Sequence, residues 1–252
     1  MKIRIKFRKY GTMKFIGHLD VMRYFQKAIR RADVDVCYSG GFSPHQIMSF
    51  AAPLGVGITS RGEYVDIEVA STRDSETMKK CLNGVMSEGF EIVSYRGLPD
   101  DAANAMSIVG AGDYTLAFRP GYEPEDMDKE TWFQGLIAFF ERPSVMVTKK
   151  TKRGEKKMDL KPLVYELRIC PEGDGEMEGP RLFMKISAGS AANVKPEQVL
   201  DAYYGFLGKE RPPFAFMVQR EEVYADRASD AEKEAGIHSF ISLEQLGEET
   251  ER

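Results

Sequence analysis

Cysteine, histidine and tryptophan are scarce in this 252-residue chain, with three, three and one of each. Cys37, Cys81 and Cys170 are odd in number and lie 44 and 89 residues apart. That spacing gives neither a disulfide framework nor a CxxC metal pair. Apolar runs are short as well. The stretch around Gly135 to Phe140 falls far below the roughly 18 residues that cross a bilayer. The opening MKIRIKFRKY alternates cations with apolar residues and lacks the apolar core of a secretory signal. Together these absences exclude a disulfide mini-protein and a membrane span, and they point to the reducing cytoplasm. Neither GxGxxG nor GxxxxGK[ST] is present, so no nucleotide fold follows, and no cofactor or metal is expected.

With 42% hydrophobic and 29% charged residues, the chain has ample core material, and its length suits one large domain or two small ones. The net charge of -4 is unevenly spread. Residues 1–60 carry +7, 61–142 carry -8, 143–163 carry +5 and the remainder -8. Two basic blocks in an acidic protein suggest local anion sites if folding brings them together, or neutralisation of neighbouring acidic segments if it does not.

Periodicity gives the fold class. Ile3, Ile5 and Phe7 alternate with Lys2, Arg4, Lys6 and Arg8, as in a strand with one buried face. From His18 to Arg31, Leu19, Met22, Phe25 and Ile29 recur at helical spacing. Val34–Tyr38 alternates again, Gly40, Gly41 and Pro44 break the chain, and Val65, Ile67 and Val69 mark another strand. A helix over 75–87 and a strand over 90–95 complete a split βαβ order. The order then repeats: strand 114–119, helix 124–141, a strand from Val145 running into a basic hairpin, a return through 163–170, an acidic loop at 172–179, strand 182–187, helix 196–207 and strand 214–224. The expected fold is therefore α+β, two tandem ferredoxin-like halves with mainly antiparallel sheets and a protruding basic β-hairpin. The first half spans 1–97 and the second 106–225, with the hairpin at 147–162. The acidic tail, 226–252, reads as frayed, although Ile237, Phe240, Ile241 and Leu243 could dock a short piece.

Three places could carry chemistry. Lys2, Arg4, Lys6 and Arg8 would lie mid-sheet on the face opposite the helices, as a phosphate platform, or paired with Asp66 and Glu68 on the neighbouring strand. The helix from His18 adds Arg23, Lys27, Arg30 and Arg31 opposite its apolar face, as further phosphate contacts or as a solvated surface. The second place is the hairpin tip, where Lys149, Lys150, Lys152, Arg153, Lys156 and Lys157 repel one another and gain from meeting a polyanion. Such cations reach phosphates without reading bases. The third is the glycine-rich segment Gly40–His45 with its upstream residues. His18, Asp20, Ser43, His45 and Glu63 could line one acid–base cleft. Alternatively, His18 caps its helix and His45 braces a tight loop.

The segments Lys14-Phe15-Ile16-Gly17-His18-Leu19-Asp20, Gly40-Gly41-Phe42-Ser43-Pro44-His45, Pro53-Leu54-Gly55-Val56-Gly57 and Gly62-Glu63-Tyr64-Val65-Asp66, with Asp159–Leu163 further on, resemble the signature of the radical SAM-linked bacterial proteins. That family of unknown function occurs alone or fused behind a radical SAM and cobalamin-binding protein. The resemblance implies a radical SAM partner but no activity of its own to carry over. The chain has no CxxxCxxC run for an iron–sulfur cluster, so it is not itself the radical enzyme. The expectation is a cytoplasmic RNA-binding accessory protein that presents tRNA or rRNA to that partner. The rivals are a small-ligand binder or enzyme built on the His18/Asp20/His45 cleft, and a protein-docking module.

Overall fold

The computed structural model describes residues 1–151, 154–170, 177–189 and 192–251, with 149–151, 155 and 156 followed by their backbone alone. Lys152, Arg153 and residues 172–176 of the expected acidic loop lie outside the described residues. In chain order the elements are β1 (Lys2–Lys9), α1 (His18–Arg31), β2 (Met48–Phe50), β3 (Thr59–Glu68), α2 (Ser75–Asn83), β4 (Phe90–Leu98), α3 (Ala105–Ile108) and β5 (Val109–Phe118). There follow α4 (Lys129–Phe140), β6 (Met146–Thr151), β7 (Gly154–Asp159), β8 (Val164–Cys170), β9 (Arg181–Ser187) and α5 (Pro196–Phe206). The last are β10 (Phe216–Asp226), α6 (Asp230–Glu234), β11 (Phe240–Ser242) and β12 (Glu248–Glu249). The fold is mixed α+β with mostly antiparallel sheet. No helix among the described residues is long and apolar enough to cross a membrane.

The chain divides into two compact units, Met1–Gly110 with Arg220–Arg252, and Ala111–Gln219. In the first, the strands run in the order β12, β4, β1, β3, β10, with β2 beside β3 and β11 beside β10. β1 is antiparallel to both β3 and β4. Its odd positions Ile3, Ile5 and Phe7 are buried, and with Val21, Phe25 and Ile29 of α1 and Met78 and Leu82 of α2 they form one apolar core. Periods of two and 3.6 meet there, which is why both patterns are visible in the sequence. α2 stops at Asn83, short of the expected 87. The Asn83 side chain donates to the Ile92 carbonyl (3.0 Å) and accepts from the Ile92 amide (2.7 Å), so it serves β4 instead of another helical turn. Val34–Tyr38 forms only isolated bridges, Val36 to Val69 and Tyr38 to Gln46.

The tail is ordered, contrary to the fraying expected of its composition. β11 pairs with β10 and β12 with β4, and Leu243 between them is fully buried. A buried leucine contributes about 1.5–3 kcal/mol, and here it offsets the cost of bringing glutamates onto the sheet.

In the second unit β9 lies between β5 and β8, antiparallel to both. α4 begins at Lys129, later than the expected 124, because the Asp128 carboxylate accepts from the Thr131 amide (2.8 Å) and fixes the helix start. Trp132, Phe133, Leu136 and Phe140 pack with Val199, Leu200 and Tyr203 of α5 into the second core. Gly135 allows the close approach of the helices: a Cβ there would sit 2.2 Å from the Tyr203 hydroxyl. β6 and β7 form a separate antiparallel pair.

Candidate functional site

The β1 cations are committed to carboxylates and carbonyls. Arg4, 2% exposed, binds Asp66 through Nε (2.8 Å) and Nη2 (2.9 Å) and donates to the Leu243 carbonyl (3.2 Å). Lys6 Nζ lies 2.7 Å from Glu222 and 2.9 Å from Glu244. Burial alone would lower the Lys6 amine, but the two carboxylates outweigh it and hold the group above its usual range. Tyr64 donates to Glu222 (2.7 Å), and burial, reinforced by that carboxylate, pushes its phenol well up. Lys2 donates to the Ala102 carbonyl (2.7 Å), and Arg8 reaches Glu91 (3.1 Å). This corrects the phosphate platform: Arg4 is buried, and Lys6 and Arg8 face protein carboxylates at contact distance. On α1, Arg23 and Lys27 are exposed, the former 3.4 Å from Asp20.

The five residues proposed for an acid–base cleft separate into different surroundings. His18 stands edge-on to Phe50 (5.2 Å) and, with Glu63, lines a narrow pocket shared with Phe7 and Lys9. Its volume, about 10 Å³, has room for at most one water. Asp20 is exposed and faces Arg23. Ser43 is exposed in the loop, and His45 Nδ1 lies 2.8 Å from Ser39 Oγ, bracing that loop as the alternative reading anticipates. His18 caps nothing, since Gly17 holds the cap position without a side-chain bond. No group of three His, Cys, Asp or Glu that could hold a metal occurs among the described residues.

Two buried residues in this pocket region escape the sequence reading. Arg220, 3% exposed, clamps Glu63 through Nε (2.7 Å) and Nη2 (2.6 Å) and donates to the Ala52 carbonyl (2.6 Å). Lys9 donates to the Ile16 carbonyl (3.0 Å). Burial holds its amine below the usual range, with Glu63 opposing that shift and Arg220 adding to it. Lys9 has a sequence signal, because it falls on the buried parity of Ile3, Ile5 and Phe7. Arg220 lies 157 positions from its partner and has none.

The second unit presents a different surface. The β6–β7 register sets Thr148 across from Lys157, Lys149 across from Lys156 and Lys150 across from Glu155. Lys157 is exposed, whereas the side chains of Lys149, Lys150 and Lys156 lie outside the described residues, as do Lys152 and Arg153. The foot of this pair is pinned by Asp159-Leu160-Lys161. The Asp159 carboxylate accepts from the amides of Val145 (2.8 Å) and Lys161 (3.0 Å), and Lys161 Nζ donates to the Phe140 carbonyl (2.5 Å). Partial burial raises the Asp159 carboxyl, but these amides more than compensate and hold it below the usual range.

Beside β6 an open groove of about 560 Å³ runs between the end of α4 and α5, lined by Phe139, Arg142, Met146, Thr148, Gln198 and Phe206 among others. The rings of Phe139 and Phe206 stack at 5.0 Å and 24°. The Arg142 guanidinium lies 4.1 Å over Phe206 and 5.2 Å over Phe139.

With these features in view, the comparison with known families is informative. The model of a family described as an uncharacterized protein conserved in bacteria, DUF2344, matches residues 2–196. The chain belongs to this family. The DUF2344 match takes in β1, the His18–Glu63 pocket lining and the β6–β7 pair, and ends at the first residue of α5. No curated protein matches the chain.

Proposed function

We propose that the protein is a cytoplasmic RNA-binding accessory protein that presents tRNA or rRNA to a partner radical SAM modification enzyme. The observation that carries this reading is the β6–β7 register, which sets Lys149, Lys150, Lys156 and Lys157 of the +5 block on one two-stranded ribbon. Ribbon cations repel one another in the free protein, and a phosphate backbone relieves that repulsion while releasing its own counterions. This reading does not lean on the β1 cations, because Arg4, Lys6 and Arg8 already face protein carboxylates and Lys2 a backbone carbonyl.

The radical SAM partnership rests on the segments Lys14–Asp20, Gly40–His45, Pro53–Gly57 and Gly62–Asp66. We further infer that both units are ferredoxin-like. In the first, β1, α1, β2, β3, α2 and β4 follow one another in the chain while the strands lie in the order β4, β1, β3, β2, the split βαβ arrangement. In the second, β5, α4, β8, β9 and α5 repeat that succession with β9 between β5 and β8.

Fluorescence anisotropy with bulk tRNA at several salt concentrations tests the RNA reading. Binding is expected to weaken steeply with salt, and replacing Lys149, Lys150, Lys152, Arg153, Lys156 and Lys157 by alanine is expected to remove most of it. Absence of binding at low salt, or a six-alanine variant as tight as the parent, rejects the reading. Copurification with the radical SAM partner should be lost on nuclease treatment, and persistence would favour a pure docking module.

A further inference from the structure

Resting on the RNA reading, we propose that the groove between α4 and α5 holds unpaired bases of a single-stranded RNA segment whose phosphates run along the β6–β7 ribbon. Lysines alone hold a backbone but do not distinguish single strands from duplex. A single-strand site needs planar surfaces on which bases stack, next to a positive track. The groove supplies both within one unit. Met146, Val147 and Thr148 of β6 form one wall, and the same strand continues directly into Lys149 and Lys150.

Arg142 is the central element. Its guanidinium carbon lies 4.1 Å from the centre of the Phe206 ring and 5.2 Å from that of Phe139, and the residue is exposed, so a base entering the groove meets a cation and two rings together. Among the described residues no carboxylate pairs with it. Phe206 is itself 49% exposed at the end of α5, with its ring against those of Phe139 and Tyr203. The one acid in the lining, Asp201, is already engaged by Arg211 at 2.6 Å. Ser144, Thr148 and Gln198 add hydrogen-bonding groups around the rim. A volume of about 560 Å³ falls within the range of pockets that enclose small planar ligands.

Gly205 provides a direct test, because it lines the groove and a Cβ built there meets nothing within 4 Å. Gly205→Leu therefore starts a bulky side chain at the groove from an uncrowded Cβ, and losing a helical glycine favours α5. Anisotropy with a fluorescein-labelled ten-nucleotide mixed-sequence RNA, alone and annealed to its complement, gives the readout. The parent is expected to prefer the single strand. Phe206→Ala and Gly205→Leu should each weaken single-strand binding by about 5- to 100-fold, the equivalent of one stacked base. Both should leave duplex binding and the salt slope unchanged, and circular dichroism should show both variants folded.

Equal affinity for single strand and duplex, or single-strand binding by folded Gly205→Leu as tight as the parent's, overturns the groove proposal and leaves the RNA reading standing. Failure of the parent to bind either RNA overturns both.

Discussion

The Glu63–Arg220 pair gives the sharpest test of what holds the first unit together. Both side chains are almost wholly buried, 7% and 3% exposed, and they meet through two bonds of 2.6 and 2.7 Å. Glu63→Gln leaves a guanidinium in the core without its counter-charge, and breaking such a pair costs about 3–5 kcal/mol. Against a whole-domain stability of about 5–15 kcal/mol that is a large fraction. At about 2–4 °C per kcal/mol for a unit of this size, the melting temperature should fall by about 6–20 °C. Replacing both partners, Glu63→Leu with Arg220→Met, removes both desolvation penalties and should recover most of the loss.

Lys9 adds a pH signature to the same variant. Its folded amine titrates below the ordinary value of 10.5, so between the two values the unfolded chain binds more protons and stability rises with pH. Glu63 is the group that opposes this lowering. Removing its charge widens the window, and the deficit of Glu63→Gln relative to the parent should be larger at pH 7 than at pH 10. Urea titrations followed by circular dichroism at the two pH values measure it. A single variant within about 1 kcal/mol of the parent, the value of an ordinary surface pair, or a double variant worse than the single, would refute the reasoning.

Three further outcomes follow from the geometry. Gly62→Ala places a methyl group 2.8 Å from the Glu221 carbonyl and 3.0 Å from the Glu222 Cα, backbone atoms that cannot rotate away, and should destabilise by about 1–3 kcal/mol in thermal melts. Leu243→Ala should cost about 2–5 kcal/mol and make 236–250 the first region to exchange amide hydrogens. Asp159→Ala removes the acceptor for the Val145 and Lys161 amides and should cost about 1 kcal/mol near neutral pH. Because the folded Asp159 carboxyl lies below its ordinary value of 3.8, its contribution is present above that value and lost as pH falls through the lowered one, so parent and variant should converge in acid.

Local pattern was legible in the sequence where a single face decides. The apolar positions Ile3, Ile5 and Phe7 of β1 and the Phe25–Ile29 part of the α1 stripe read correctly because they meet in the same core, but Leu19 is 60% exposed, Val21 and Ala28 take buried places on α1, and Arg4 is buried on the other face of β1. Boundaries were less legible, since they depend on particular hydrogen bonds: Asn83 ends α2 by serving Ile92, and Asp128 starts α4 by capping Thr131. The tail read as frayed because composition registers six glutamates beyond Asp226 and misses that Lys6 and Arg96 await one of them, Glu244. Of the residues of the candidate cleft, His18 and Glu63 line one narrow pocket, and Asp20, Ser43 and His45 are not part of its lining. Asp20 and His45 satisfy local partners, while Glu63 takes a partner 157 positions away, and long-range choices of this kind leave no periodic trace.

The same reasoning separates the two basic blocks. Charge totals for 1–60 and 143–163 look alike, +7 and +5, yet their availability depends on where acids fall in the fold. β1 is a central strand flanked by β3 and β4, so Asp66, Glu91, Glu222 and Glu244 can reach its cations from neighbouring elements. Among the described residues β6 pairs only with β7, whose single acid ahead of Asp159 is Glu155, set across from Lys150. Among the described residues no third strand pairs with this ribbon to supply counter-charge. The decisive difference is therefore the position of each block in its sheet: neighbouring strands bring carboxylates to Arg4, Lys6 and Arg8 of β1, whereas the β6–β7 pair is where the proposed polyanion would bind.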